Sequence, residues 1–275
     1  MTVREMSMAD LRRAALLLVG HGSSRNSVSS LPTHRLAEEV RRRGLFAEVR
    51  ECFWKEAPHI RDVMAEVTAP EVYVVPNFVG EGYFTREVIP RELALAGAGD
   101  GRVHYTPPVG AHPRMAGIIR RRVAAVVEKA GVDAARACLL LVGHGSRRPG
   151  GSADTALALA ATLRRDTRFA EVRVAFLEQE PEVADWRRLT SAPMVVVMPL
   201  LVAEGLHGAL DLPPLFGLAP DALAGAGDAP AVGPSLVDGR RVWYCRSLGS
   251  DPEIVDIILD QVRHTAACGV LDASP

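Results

Sequence analysis

The sequence has 275 residues, of which 48% are hydrophobic and 24% charged, with a formal net charge of −1. That length suits one large or two small domains, and the apolar fraction supports a packed core rather than a disordered chain. The near-zero charge disfavours a nucleic-acid binder, no apolar run nears the roughly 20 residues of a membrane span, and the polar start MTVREMSMADLRR has no signal-peptide core, so a cytoplasmic protein that engages neither nucleic acid nor membrane is expected.

Taken in chain order, the first apolar run, Ala15 to Val19, reads as a buried strand ending in a Gly20-His21-Gly22-Ser23 turn. A helix is predicted over Leu36 to Arg43 and a strand over Glu48 to Phe53. A polar helix and a strongly apolar strand, Val72 to Pro76, follow. Next come a Gly-containing loop, a further helical stretch, the strand GRVHY from Gly101 and a helix from Pro113 to Lys129. The series then starts again. Strands are predicted at Cys138 to Val142, Glu171 to Phe176 and Met194 to Pro199, with helices at Thr155 to Arg164 and Pro252 to His264. LLLVGHGSSR from Leu16 returns as LLLVGHGSRR from Leu139, and the same offset lays Phe46–Arg50 on Phe169–Arg173 and Pro76 on Pro199. Extra residues in the second copy fall in the Ala- and Gly-rich stretch after Gly217, read as a surface loop. The chain is therefore a tandem duplication, with repeats over 1–133 and 134–275.

Apolar strands alternating with helices imply an α/β fold with parallel sheets covered on both faces. The expectation is two similar domains, each a short parallel sheet flanked by helices, facing one another across a cleft. Ligands of such sheets bind beyond the C-terminal strand ends. In the second repeat those ends carry His144, then Glu178 and Glu180, then Glu204 and His207. Two imidazoles and a carboxylate suit a divalent first-row metal and also suit proton transfer. The first repeat keeps His21 but has Lys55, Ala57 and Phe84 where the second has Glu178, Glu180 and His207. One functional centre is expected, in the second repeat. Trp54, Tyr83 and Phe84 are equally readable as an apolar wall or as core packing.

The Gly-rich turns also present N–H groups that suit anions. Ser146, Arg147 and Arg148 stand beside His144, and Ser23 and Arg25 beside His21, fitting a phosphate or substrate carboxylates. Neither GxxxxGK[ST] nor GxGxxG occurs, so no nucleotide is expected. Cys52, Cys138, Cys245 and Cys268 form no CxxC pair, and are expected to be reduced, mostly buried thiols with no iron–sulfur cluster.

LLLVGHGSR with His144, FLEQEP with Glu178 and PLLVAEGLH with His207 resemble the motifs of the class II tetrapyrrole chelatases, and GRRVWY and LGSDP resemble that family's closing strand and helix. The resemblance spans nearly the whole chain and is most similar to the two-domain sirohydrochlorin cobaltochelatases of cobalamin synthesis, with the siroheme ferrochelatases next. It implies insertion of a divalent metal substrate (Co²⁺ first, with Fe²⁺ or Ni²⁺ also accommodated) into a sirohydrochlorin-type tetrapyrrole, without ATP. By the same resemblance His144 and His207 hold the ion and Glu178 takes a proton or steers it, with Glu180 the alternative for that role. Contacts to the macrocycle fall to Ser146, Arg147, Arg148, Glu180, Glu204, His21, Ser23 and Arg25. A non-catalytic metal or tetrapyrrole carrier and a phosphate-ester enzyme are the competing readings. A duplicated chain fits a monomer built as a fused pseudo-dimer, or a homodimer.

Overall fold

The computed structural model describes residues 11–24, 27–95, 101–146, 153–203, 205, 207–227 and 229–268. The chain divides into two compact units, Met1–His112 with Ser250–Pro275, and Pro113–Gly249.

The first unit opens with β1 (Ala14–Gly20), whose seven residues are all buried. α1 (Leu31–Arg43) carries Pro32 in its first turn, where a missing N–H is harmless, and buries Thr33, Leu36, Ala37 and Val40. β2 (Glu48–Phe53), α2 (Ile60–Glu66), β3 (Glu71–Pro76), α3 (Ile89–Leu95) and β4 (Val103–Tyr105) complete the repeat's sheet and its flanking helices. The four strands run parallel in the order β2-β1-β3-β4, with Leu16 opposite Val49 on one side and Tyr73 on the other. Ala15, Leu17 and Val19 point to one face, where they pack with Cys52, Val72, Val74 and Ile89.

The second unit starts with α4 (Met115–Ala130). It continues through β5 (Ala137–Gly143), α5 (Ala153–Asp166), β6 (Glu171–Phe176), α6 (Trp186–Leu189), β7 (Met194–Pro199), α7 (Leu212–Leu215), β8 (Ala231–Val237) and β9 (Arg240–Cys245). Its sheet has the order β6-β5-β7-β9-β8. The first four strands are parallel, and β8 runs antiparallel to β9 at the edge. Trp186 is fully buried and its indole N–H donates to the Leu215 carbonyl at 2.9 Å, which satisfies the ring's single polar group.

Two features depart from the sequence reading. The insertion after Gly217 is not loop alone, because β8 extends the sheet. AVGPSLV hides this: its Gly233-Pro234 pair interrupts any strand pattern, and is tolerated because β8 is an edge strand that needs only one partner. The second departure concerns the closing helices. The helix that ends the first repeat, α4, packs on α5 and β7, while α8 (Glu253–Cys268), which ends the second, packs on α1, β3 and β4. Arg122 of α4 donates to the carbonyls of Ser247 and Arg246 at 2.8 and 2.7 Å, and Gln261 of α8 donates to the Pro108 carbonyl at 3.3 Å. The compact units therefore carry exchanged closing helices and are not the two repeats themselves.

In each sheet the chain leaves the first strand to one side and returns on the other, so the loops after β1 and β3, and after β5 and β7, part at the C-terminal edge. That divergence opens the crevice where parallel sheets hold ligands. No described helix is long and apolar enough to cross a membrane. Cys52, Cys138 and Cys245 are free and buried. Burial raises the thiol pKa of all three, to about 11 for Cys138 and about 12 for Cys245, which keeps them protonated and inert. The Cys268 side chain lies outside the described residues.

Candidate active site

β5 delivers the chain into the Gly143-His144-Gly145-Ser146 turn. Gly145 has φ 78°, and a Cβ there would lie 2.8 Å from Gln179 Cγ and 2.9 Å from Phe176 Cβ, so both conformation and space demand glycine. The turn folds tightly over the next strand's end because Gln179 Oε1 accepts the Ser146 N–H at 2.7 Å. That amide is therefore engaged within the unit. The loop after β6 docks on the same turn. The amides of Leu177 and Glu178 donate to the His144 carbonyl at 3.1 and 3.0 Å, and the Phe176 amide donates to the Pro181 carbonyl at 2.9 Å. This places Glu178 Oε1 3.8 Å from His144 Nε2.

The third loop leaves β7. The Leu200 amide donates to the Val142 carbonyl at 2.7 Å, so the strand end stays zipped to β5. Gly249 lets the chain beyond β9 cross that loop, since a Cβ there would sit 1.8 Å from the Val202 carbonyl oxygen. His207 begins a five-residue π-helical turn, His207–Asp211, a wide turn type that recurs at functional sites. Tyr244 of β9 steadies the turn by donating its hydroxyl to the Gly208 carbonyl at 2.8 Å. The result brings the two imidazoles together, with ring centroids 5.3 Å apart and planes at 75°. His207 Nδ1 is 2.8 Å from Asp211 Oδ2, and His144 Nδ1 is 3.3 Å from the Gly145 carbonyl.

The side chains of His144, Glu178 and His207 are 42%, 57% and 48% exposed, so a solvated ion can reach them. Among the described residues no three His, Cys, Asp or Glu side chains already close around a point. What exists is an open pair of imidazoles with a carboxylate beside each, Glu178 near His144 and Asp211 near His207. Such an arrangement can take an ion from water and release it, unlike the closed four-ligand shell of a structural site.

The structure thus gathers His144, Glu178 and His207. Glu180 is exposed two residues further on and is not part of this contact. Arg147, Arg148, Glu204 and Arg25 lie outside the described residues. Asp211 and Gln179 were not anticipated. Asp211 had a signal in the i,i+4 spacing from His207. Gln179 carries no such spacing; its counterpart in the first repeat, Glu56, accepts the Ser23 N–H at 3.1 Å in the same way.

The first repeat builds the same scaffold and keeps His21, but Lys55 and Phe84 stand in place of Glu178 and His207. Gly22 has φ 66°, and the π-helical turn Phe84–Val88 matches His207–Asp211. Tyr105 donates its hydroxyl to the Thr85 carbonyl as Tyr244 does to that of Gly208. His21 meets Phe84 edge-on, centroids 4.7 Å apart at 73°, in the pose His144 adopts toward His207. Phe78, Trp54 and Tyr83 gather around Phe84.

The sequence profile of the CbiX family matches residues 15–126 and again 138–265, one match on each repeat. The chain belongs to the CbiX family. A relative from Halobacterium salinarum named probable sirohydrochlorin cobaltochelatase is 37% identical over 276 residues, covering 92% of each chain. A Deinococcus radiodurans structure, a multi-domain protein with structural similarity to chelatases, superposes with TM-score 0.71 at 30% identity over 94% of this chain. This chain spans 56% of that longer one. SirB from Bacillus subtilis, solved with Fe³⁺, has TM-score 0.69 at 20% identity, covering 92% of this chain and 96% of its own, which shows a common fold. A two-repeat CbiX chain accounts for the scaffold being built twice.

Proposed function

We propose that the protein inserts a divalent metal, Co²⁺ first and Fe²⁺ second, into sirohydrochlorin. The observation that carries this reading is the His144–His207 imidazole pair with Glu178 3.8 Å from His144, set at the C-terminal strand ends of a CbiX-family sheet. The Halobacterium relative's name, covering nearly the full length of both chains, supports the same substrate.

Insertion exchanges two pyrrole N–H protons for one M²⁺ ion and needs no nucleotide. Neutral imidazoles are good ligands for first-row divalent ions but bind less tightly than thiolates, which favours hand-over. His144 and His207 hold the incoming ion through ring nitrogens. Glu178 accepts a proton leaving the macrocycle, and its exposed carboxylate passes that proton to water. Ser146, Arg147 and Arg148 are assigned to the carboxylates of the macrocycle. The working centre belongs to residues 134–275. Residues 1–133 keep one imidazole, His21, but assemble no ligand pair, since Phe84 and Lys55 occupy the places of His207 and Glu178.

The test is an anaerobic absorbance assay with sirohydrochlorin and Co²⁺, Fe²⁺ or Ni²⁺ in turn. The wild type should accelerate insertion, and a His144→Ala, His207→Ala double variant should fall to the spontaneous rate. Equal rates for both proteins with every metal would overturn the proposal.

A further inference from the structure

We propose that Asp211 is a positioning residue for metal capture: it holds His207 in the tautomer whose Nε2 lone pair faces the incoming ion. This rests on the chelatase reading for its purpose but on local chemistry for its content.

Asp211 Oδ2 lies 2.8 Å from His207 Nδ1. A carboxylate only accepts hydrogen bonds, so the proton of the neutral ring sits on Nδ1 and Nε2 is left with its lone pair. His144 is set the same way by a different device. Its Nδ1 faces the Gly145 carbonyl at 3.3 Å, another group that only accepts. For His207 this leaves Nε2 to meet the ion, while the Nε2 of His144 is the atom beside Glu178. A partner on the far nitrogen fixes ring orientation and raises the donor strength of the near one.

A structural role for Asp211 is the competing explanation, because it precedes α7. Yet its carboxylate makes no capping hydrogen bond to that helix, and the side chain is 56% exposed. The first repeat points the same way. At the equivalent positions Phe84 replaces His207 and Val88, buried, replaces Asp211. The turn is retained without either polar group, so its fold does not require the carboxylate. Where the imidazole is absent, the carboxylate is absent too.

The test uses ¹⁵N-labelled full-length protein at about pH 8, where unperturbed imidazole is neutral. Two-bond ¹H–¹⁵N correlations distinguish the tautomers. The wild type should show His207 with its proton on Nδ1. Asp211→Ala should shift it to the Nε2–H form that free imidazole side chains favour. Asp211→Asn, whose carbonyl oxygen still accepts from Nδ1–H, should keep the wild-type tautomer. Co²⁺ binding, followed by its visible absorption, should weaken by about 10- to 100-fold in Asp211→Ala and be largely restored in Asp211→Asn. On a His207→Ala background the same Asp211→Ala change should cost nothing further. An unchanged His207 tautomer in Asp211→Ala would overturn the proposal. So would an equal loss of Co²⁺ affinity with and without His207. Failure of the chelatase reading is separable: it would appear as wild-type protein that binds Co²⁺ and shows the Nδ1–H tautomer yet inserts no metal into sirohydrochlorin.

Discussion

The two repeats differ at their strand ends far more than in their frames. Both fold a glycine turn over a phenylalanine, tie the turn's serine amide to a side chain at the same position, and place an aromatic ring edge-on to the turn's histidine. In one the ring is Phe84, with Lys55 and Val88 at the other two differing positions. In the other it is His207, with Glu178 and Asp211. The shared frame shows that the turn, the docked loop and the π-helical turn are solutions to a packing problem. The frame tolerates Glu178, His207 and Asp211 without needing them, since Lys55, Phe84 and Val88 stand at the same positions of the first repeat. A duplicated chain can therefore vary these residues in one repeat and keep the scaffold of both.

The comparison can be broken most severely by making the second centre resemble the first. Glu178→Lys with His207→Phe should abolish metal insertion at the absorbance assay's detection limit, while the thermal midpoint stays within a few degrees, because both positions are exposed. Glu178→Gln alone should slow insertion by about 10²- to 10⁴-fold, the usual contribution of a general base, with sirohydrochlorin binding retained by difference spectroscopy. The reverse exchange sharpens the contrast. Phe84→His with Lys55→Glu should add a second Co²⁺ equivalent by calorimetry, weaker than the first because Val88 offers no carboxylate to the new imidazole.

Smaller effects should follow from the cores. Trp186, fully buried in the second unit, occupies the place of Val63, 4% exposed in the first. Trp186→Ala should cost about 3–5 kcal/mol in urea unfolding, and Val63→Ala less, because the smaller side chain leaves a smaller cavity. The smallest expected effect is a pH effect. Burial works against ionisation of Glu48, but hydrogen bonds from the Thr68 hydroxyl and the amides of Thr68 and Ala69, with Arg50 nearby, outweigh it and hold its pKa below the usual carboxylate value. A depressed folded-state pKa gives stability that is present above the unfolded value and is lost as pH falls through the folded one. Glu48→Gln should therefore flatten the decline of stability on acidification below about pH 4.5, read by urea midpoints across that range.

Much of this arrangement was legible in the residues. β7 begins and ends where its apolar run does, since a strand buried on both faces leaves little choice of residue; β2 and β6 are edge strands, legible from their β-branched residues and the repeated sequence although part of each stays exposed to solvent. His144, Glu178 and His207 were readable because strand order dictates which loops meet, and the degenerate first copy removed the competing positions. Other features were not legible. β8 was obscured by Gly233-Pro234, whose tolerance depends on lying at an edge. The exchange of α4 and α8 leaves no trace in periodicity, because an amphipathic helix is satisfied by either sheet's apolar face. The Asp211–His207 pair shows in the sequence only as an i,i+4 spacing, which does not by itself say that the side chains meet; in the folded turn His207 Nδ1 lies 2.8 Å from Asp211 Oδ2.

On the proposed function one working centre serves the chain, in the second repeat. Initial rates of Co²⁺ insertion into sirohydrochlorin by His144→Ala and His21→Ala, measured side by side, test it most directly. His144→Ala should lose at least about 100-fold, and His21→Ala should stay within about tenfold of wild type. Comparable losses in the two variants, or a loss confined to His21→Ala, would contradict it.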